Sequence, residues 1–98
     1  MKLVIARSAL HDLQEIQSYY REQGVPAIGL QLIESILTQA RKLVDHPDVG
    51  KMVPELGQEH IRELIIPPFR VVYLRSSSSV SLIRVWRSER LLHLPEEV

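Results

Sequence analysis

The chain contains no cysteine. That excludes a disulfide scaffold, a thiolate metal site and a cysteine nucleophile. It has no excess charge of either sign, with 12 basic residues against 12 acidic ones. A protein that coats nucleic acid by bulk charge is normally basic, so direct sequence-specific nucleic-acid binding is not expected. No stretch approaches the ~20 apolar residues that span a bilayer, and the opening run Leu3–Ala6 is too short for a signal peptide. A soluble cytoplasmic protein with no membrane association is the expectation. Glycine-rich phosphate loops, Gly-x-Ser-x-Gly and a Walker lysine are all missing, and no cofactor is implied. His11, His46, His60 and His93 show no ligand spacing, and a metal site is not expected. At 98 residues there is room for neither a Rossmann fold nor a second domain. The chain reads as one domain over 1–98, with a tail at 91–98.

What the chain does have is a lopsided distribution of arginine. Lysine is confined to Lys2, Lys42 and Lys51, against nine arginines. Arg70, Arg75, Arg84, Arg87 and Arg90 fall within 21 positions where only Glu89 opposes them. A neutral chain therefore carries a basic C-terminal third.

Periodicity organises the rest. Leu3–Ala6 reads as a short buried strand. Ser8 is a candidate N-cap. Leu10, Leu13, Ile16 and Tyr20 recur at helical spacing, with Asp12 and Glu15 near the favourable end of the helix dipole and Gly24 as a left-handed stop. The spacing predicts a helix over 9–23. Pro26 suits a second N-terminus, and Leu30, Ile33, Leu37, Ala40 and Val44 step by three and four up to His46-Pro47. This predicts an antiparallel helical hairpin, with Ile33 and Leu37 at the centre of the second stripe. Glycines and prolines across 45–60 forbid a long regular element there. Three strands follow, at 61–66, 69–75 and 80–88, the last two joined by Ser76–Ser79.

The order β-α-α-β-β-β implies an α+β fold, a two-layer sandwich with the hairpin on one face of a small sheet. Alternation along the middle strand places Phe69, Val71 and Tyr73 under the helices and Arg70, Val72 and Leu74 on the opposite face. Nothing else in the chain is left to cover Val72 and Leu74, and the arginines near them look unpaired. A partner that supplies this cover is expected. Three readings of the arginines stand together: solvated strand edges, pairing with an acidic protein partner, and nucleic-acid contact. Trp86 either stacks on a base or packs beneath the tail around Leu91–Leu94. His93 is the one candidate acid or base beside the arginines.

Several segments, taken in order, resemble a known family. They are Gly50-Lys51-x-Val53-Pro54-Glu55-Leu56, Ile61-Arg62-Glu63-Leu64, Phe69-Arg70-Val71-Val72-Tyr73, and Val80-x-Leu82-Ile83-Arg84-Val85 with Arg90 five residues on. With the opening Ser8-Ala9-x-x-Asp12-Leu13-x-x-Ile16-x-x-Tyr19, the succession is similar to the ParE branch of the RelE/ParE superfamily, toxins of type II toxin–antitoxin modules. The resemblance implies a bacterial cytoplasmic toxin that poisons DNA gyrase by binding, with no catalytic residues, and that a ParD-like antitoxin neutralises. RelE-like relatives instead cut mRNA on the ribosome. Arg70 falls on a functional arginine of that branch, but Glu63 stands where it carries lysine, and no tyrosine occurs in Leu91-Leu92-His93-Leu94. Arg87 also replaces a histidine typical of the last ParE strand. The expected antitoxin-binding residues are Arg70, Val72, Leu74, Arg84 and Arg87, and the expected target-binding residues are Arg84, Arg87 and Arg90. An mRNA endonuclease, or a non-toxic binding protein with the toxin fold, are the alternatives.

Overall fold

Pro26 marks the start of the second of two helices, and the proline pair 67–68 separates two strands; much of the layout is set by such stops. The computed structural model describes residues 1–87. Their order is β1 (Lys2–Ile5), α1 (Arg7–Glu22), α2 (Pro26–Lys42), β2 (Lys51–Met52), β3 (Ile61–Ile66), β4 (Phe69–Arg75) and β5 (Ser79–Arg87). This is the expected α+β arrangement, with one short strand, β2, added within the 45–60 connection. Arg90, His93 and the 91–98 tail lie outside the described residues.

Local chemistry accounts for most boundaries. Pro26 sits at the first turn of α2, where its missing N–H costs nothing and its fixed φ suits the helix. Gly24 has φ +79°, the left-handed conformation that lets the chain leave α1 and re-enter α2. Arg41 and Lys42 occupy the last turn of α2, where cations complement the dipole. Ser8 differs from expectation. The N-cap of α1 is Ala6, without a side-chain cap, and Ser8 Oγ instead donates to the Ile83 carbonyl at 2.6 Å. A residue expected to cap its own helix thus ties that helix to β5. No acidic residue lies in the first turn of α1, so Asp12 serves another role, described below.

The sheet runs β1-β5-β4-β3-β2. Strands β2 to β5 form antiparallel pairs. β1 lies parallel to β5, with Lys2 opposite Ser79 and Ile5 opposite Leu82. A parallel pair needs a long connection, and everything between β1 and β5, the helical hairpin included, supplies it.

The core lies between hairpin and sheet. Ala9, Leu13 and Ile16 of α1 and Ile36, Ala40 and Leu43 of α2 meet Phe69, Val71, Tyr73, Val80, Leu82 and Val85. Complete burial of one such aliphatic or aromatic side chain contributes ~1.5–3 kcal/mol. The expected assignment of Phe69, Val71 and Tyr73 to the helix-covered face holds. The phase of α2 differs from expectation. Ile36, Ala40 and Leu43 are fully buried and Leu30 is 49% exposed, while Ile33 and Leu37 are only partly buried at the core's margin. The stripe's centre is rotated from the one expected.

A bulge corrects the last strand. Val72 faces Arg84 but Tyr73 faces Leu82, so Ile83 is an extra residue. Strict alternation would place Leu82 and Val85 on opposite faces. The inserted residue restores both to the core and leaves Arg84 and Trp86 on the far side.

Tyr73 also anchors the 45–60 connection. Its hydroxyl donates to the Pro47 carbonyl at 2.8 Å and accepts from Gly50 N–H at 3.0 Å. Burial raises its pKa above the ordinary tyrosine value. A Cβ on Gly50 would lie 2.6 Å from both the Glu63 carbonyl oxygen and the Tyr73 hydroxyl, so this approach requires glycine.

Candidate binding face

The far face of the sheet can be mapped from its registers. One row crosses the strands as Ile65, Arg70 and Trp86. The next runs Lys51, Glu63, Val72 and Arg84, and the third Ile61, Leu74 and Ser81. Arg70, Val72, Leu74 and Arg84, expected together from sequence, share this face. Arg87 does not. It stands opposite Phe69 on the helix side, 5.8 Å from the Phe69 ring centroid and 5.9 Å from that of Tyr19. Arg90 lies outside the described residues.

Two expectations about this face need correction. Val72 is only 5% exposed, and Leu74 is half-buried, so the chain itself covers most of what was expected to lie open. The nearby arginines are also paired. Arg70, 8% exposed, donates from Nε to Glu63 Oε1. Its Nη1 and Nη2 donate to Glu55 Oε2 and Oε1, each at 2.9 Å. A planar guanidinium matches a carboxylate in this two-pronged way. Its Glu55 partner is carried by the loop between β2 and β3. There Leu56 and Gly57 N–H both donate to the Val53 carbonyl at 3.0 Å, and Val53 is buried. This turn, 53–57, straps across the face and latches on Arg70. The Arg70 hydrogen bonds hold the Glu55 carboxyl below its ordinary pKa. The two carboxylates in turn raise the pKa of Arg70, and its charge is permanent.

Arg84 is held differently. Its Nε donates to Asp12 Oδ2 at 2.8 Å and its Nη2 to Asp12 Oδ1 at 3.1 Å. Asp12 Oδ2 also accepts from Val85 N–H at 2.8 Å. β1 pairs with β5 only as far as Leu82, so beyond it the outer edge of β5 needs another acceptor, and α1 provides one. The Arg84 guanidinium lies 4.4 Å from the Trp86 ring centroid, within cation–π range. Around this junction Asp12, Tyr19, Phe69, Arg84, Trp86 and Arg87 line a cleft of about 580 Å3 between α1 and the end of β5.

A third charged group lies at the opposite end of the sheet. Asp48 pairs with Arg75 Nε and, at 3.6 Å, with Arg62 Nε, while Arg62 Nη1 donates to the Gly50 carbonyl at 2.9 Å. These contacts pin the 45–60 connection. Among the described residues, no three His, Cys, Asp or Glu side chains come together to hold a metal ion.

Sequence reasoning missed Glu55, Glu63 and Asp12 as partners of the arginines. Glu55 is 15 positions from Arg70 and Asp12 is 72 from Arg84, too far for any local pattern to pair them. One signal was present for Glu63: it and Arg62 are the only charged residues in a strand of apolar ones and point to opposite faces, so an acidic side chain there needs a cation from elsewhere.

The model of the ParE toxin of type II toxin–antitoxin system, parDE, matches residues 3–92. The chain belongs to the ParE toxin family. A solved structure described as the chromosomal ParDE TA system from P. aeruginosa is similar in fold, with a TM-score of 0.74. It shares 24% identity, covering 89% of this chain and 95% of that one. Among curated proteins, none matches the chain significantly. The matched span contains α1 to β5 whole and β1 but for Lys2, so this two-faced sheet is this chain's version of the ParE fold. Among the described residues no helix is long and apolar enough to cross a membrane.

Proposed function

We propose that this ParE family member is a bacterial cytoplasmic toxin that blocks replication by binding DNA gyrase, with no chemistry of its own. A ParD-like antitoxin neutralises it. The observation that carries the choice of binding over mRNA cleavage is the state of Arg70. A nuclease needs cationic donors aimed at the phosphate whose charge grows in the transition state. Arg70 falls on a functional arginine of the RelE branch, with Arg87 only a rough match to a basic site residue, and two carboxylates already occupy Arg70. Glu63, where that branch has lysine, would repel a phosphate.

The antitoxin's place is the face that carries Arg70, Val72, Leu74 and Arg84, extending to Arg87 around the edge of β5. Gyrase contact falls to Arg84, Arg87 and Arg90. Contacts of this kind act through shape and charge, and added salt weakens them. The test is to produce the protein alone and to assay plasmid supercoiling by purified gyrase in parallel with the integrity of ribosome-bound mRNA. Salt-sensitive loss of supercoiling with intact mRNA is the expected result. Codon-specific mRNA cleavage, lost in Arg70→Ala or His93→Ala, would replace this reading with the endonuclease.

A further inference from the structure

Arg70 holds two carboxylates of unlike standing. Glu63 is fixed in β3 and 5% exposed. The Glu55 side chain is 35% exposed and rides on the strap, whose remaining residues after Val53 are all exposed. With Glu55 gone, Glu63 still neutralises Arg70, but Nη1 and Nη2 lose both acceptors on a side chain that is nine-tenths buried. Leaving buried donors bare is costly. A partner that displaces the strap and covers Arg70 in its place therefore has to bring a carboxylate to the same seat.

The flanks of that seat are apolar. In the same row, Ile65 is directly opposite Arg70 on one side and Trp86 on the other. Ile65 is 49% exposed and Trp86 is half-buried. Neighbouring strands are ~4.8 Å apart, so apolar, cationic and apolar positions recur at roughly 0, 4.8 and 9.6 Å across the sheet. Helix positions i, i+3 and i+7 share one face and rise by about 0, 4.5 and 10.5 Å. In an extended segment, residues facing the same way recur every ~6.6 Å, which overshoots Arg70.

We infer that the Arg70 row is a docking seat for a helix crossing the strands, whose pattern apolar-x-x-acidic-x-x-x-apolar displaces Glu55 and opens the 53–57 strap. This rests on the antitoxin reading above and specifies the chemistry of the segment that would bind. Specificity follows from the seat: a helix with the right apolar residues but no carboxylate leaves Arg70 bare.

The probe is a hydrocarbon-stapled, fluorescently labelled 12-residue helix with Leu, Glu and Leu at positions three and then four apart, titrated by anisotropy. Replacing its Glu with Gln is expected to weaken binding at least tenfold. Glu55→Gln in the protein is expected to tighten binding at least tenfold, because the competing seat-holder has lost its charge. Ile65→Asp, on an exposed side chain, should abolish binding while circular dichroism and melting remain those of the wild type. Affinity indifferent to the peptide's carboxylate or to Glu55 would overturn the inference, as would absence of binding to both proteins. Rescue of growth by a co-produced ParD-type antitoxin is scored separately. Its persistence after such a failure would remove the displaced latch and leave the antitoxin reading standing.

Discussion

The two faces of β4 are built from adjacent residues and held by opposite means. On one, Phe69, Val71 and Tyr73 are 0–1% exposed beneath two helices. On the other, Val72 is 5% exposed, and beside it Arg70 is held by a fork of ion pairs to Glu63 and Glu55. Apolar burial is non-directional and tolerates a loss at one position without collapsing the rest. A buried ion set is less forgiving: it costs much to desolvate, and removing the shared Arg70 leaves the buried Glu63 carboxylate a bare charge. The helix-covered face is thus suited to carrying stability, and the Arg70 face to being exchanged.

The sharpest way to break this comparison is Arg70→Met. It strands the Glu63 carboxylate, and ~3–5 kcal/mol of destabilisation is expected. That is a large share of the roughly 5–15 kcal/mol available to a domain. Adding Glu63→Leu should restore most of the loss, since an apolar pair of similar volume is neutral or better. Denaturant melts of the single and double variants measure this, and a mild single variant would show that the ion set is not a unit.

On the helix side, Ile36→Ala is expected to cost ~2–5 kcal/mol, and Leu37→Ala clearly less, because Leu37 lies at the core's margin. Equal losses in thermal melts would mean that both residues share the stripe's centre. Next in size is Gly50→Ala, where the new Cβ meets a backbone oxygen and the Tyr73 hydroxyl. Overpacking of that kind costs ~1–3 kcal/mol.

The smallest effect is a pH dependence. Arg70 lowers the pKa of Glu55 from 4.5. The stabilisation this gives is present above that value and is lost as pH falls through the lowered pKa of the folded state. Between pH 5 and pH 3, the wild type should therefore lose more stability than Glu55→Gln. Parallel acid titrations would contradict the latch.

Much of the helix-covered face was legible in the sequence. β3 and β4 have the expected limits, because proline and alternation are local signals. The α2 phase was misread because its stripe is broad: Leu30, Ile33 and Leu37 compete with Ile36 and Leu43 for the same period. β2 is two residues long and has no periodicity to read. The parallel β1–β5 pair joins distant segments. The Arg70 face was legible as to Arg70, Val72, Leu74 and Arg84, not as to Arg87, which lies opposite Phe69, and illegible as to their state. Arg70 was expected to be unpaired because Glu55 reaches it from a loop whose sequence shows only turn signals.

The double variant Arg70→Met/Glu63→Leu gives the most direct test of toxicity by binding rather than by Arg70 chemistry. Its half-inhibitory concentration for supercoiling by purified gyrase is the measurement to make. The account predicts the wild-type value, since the proposed gyrase contacts Arg84, Arg87 and Arg90 are untouched. A folded double variant that has lost inhibition, or a wild-type protein whose only activity is mRNA cleavage abolished in that variant, would contradict it.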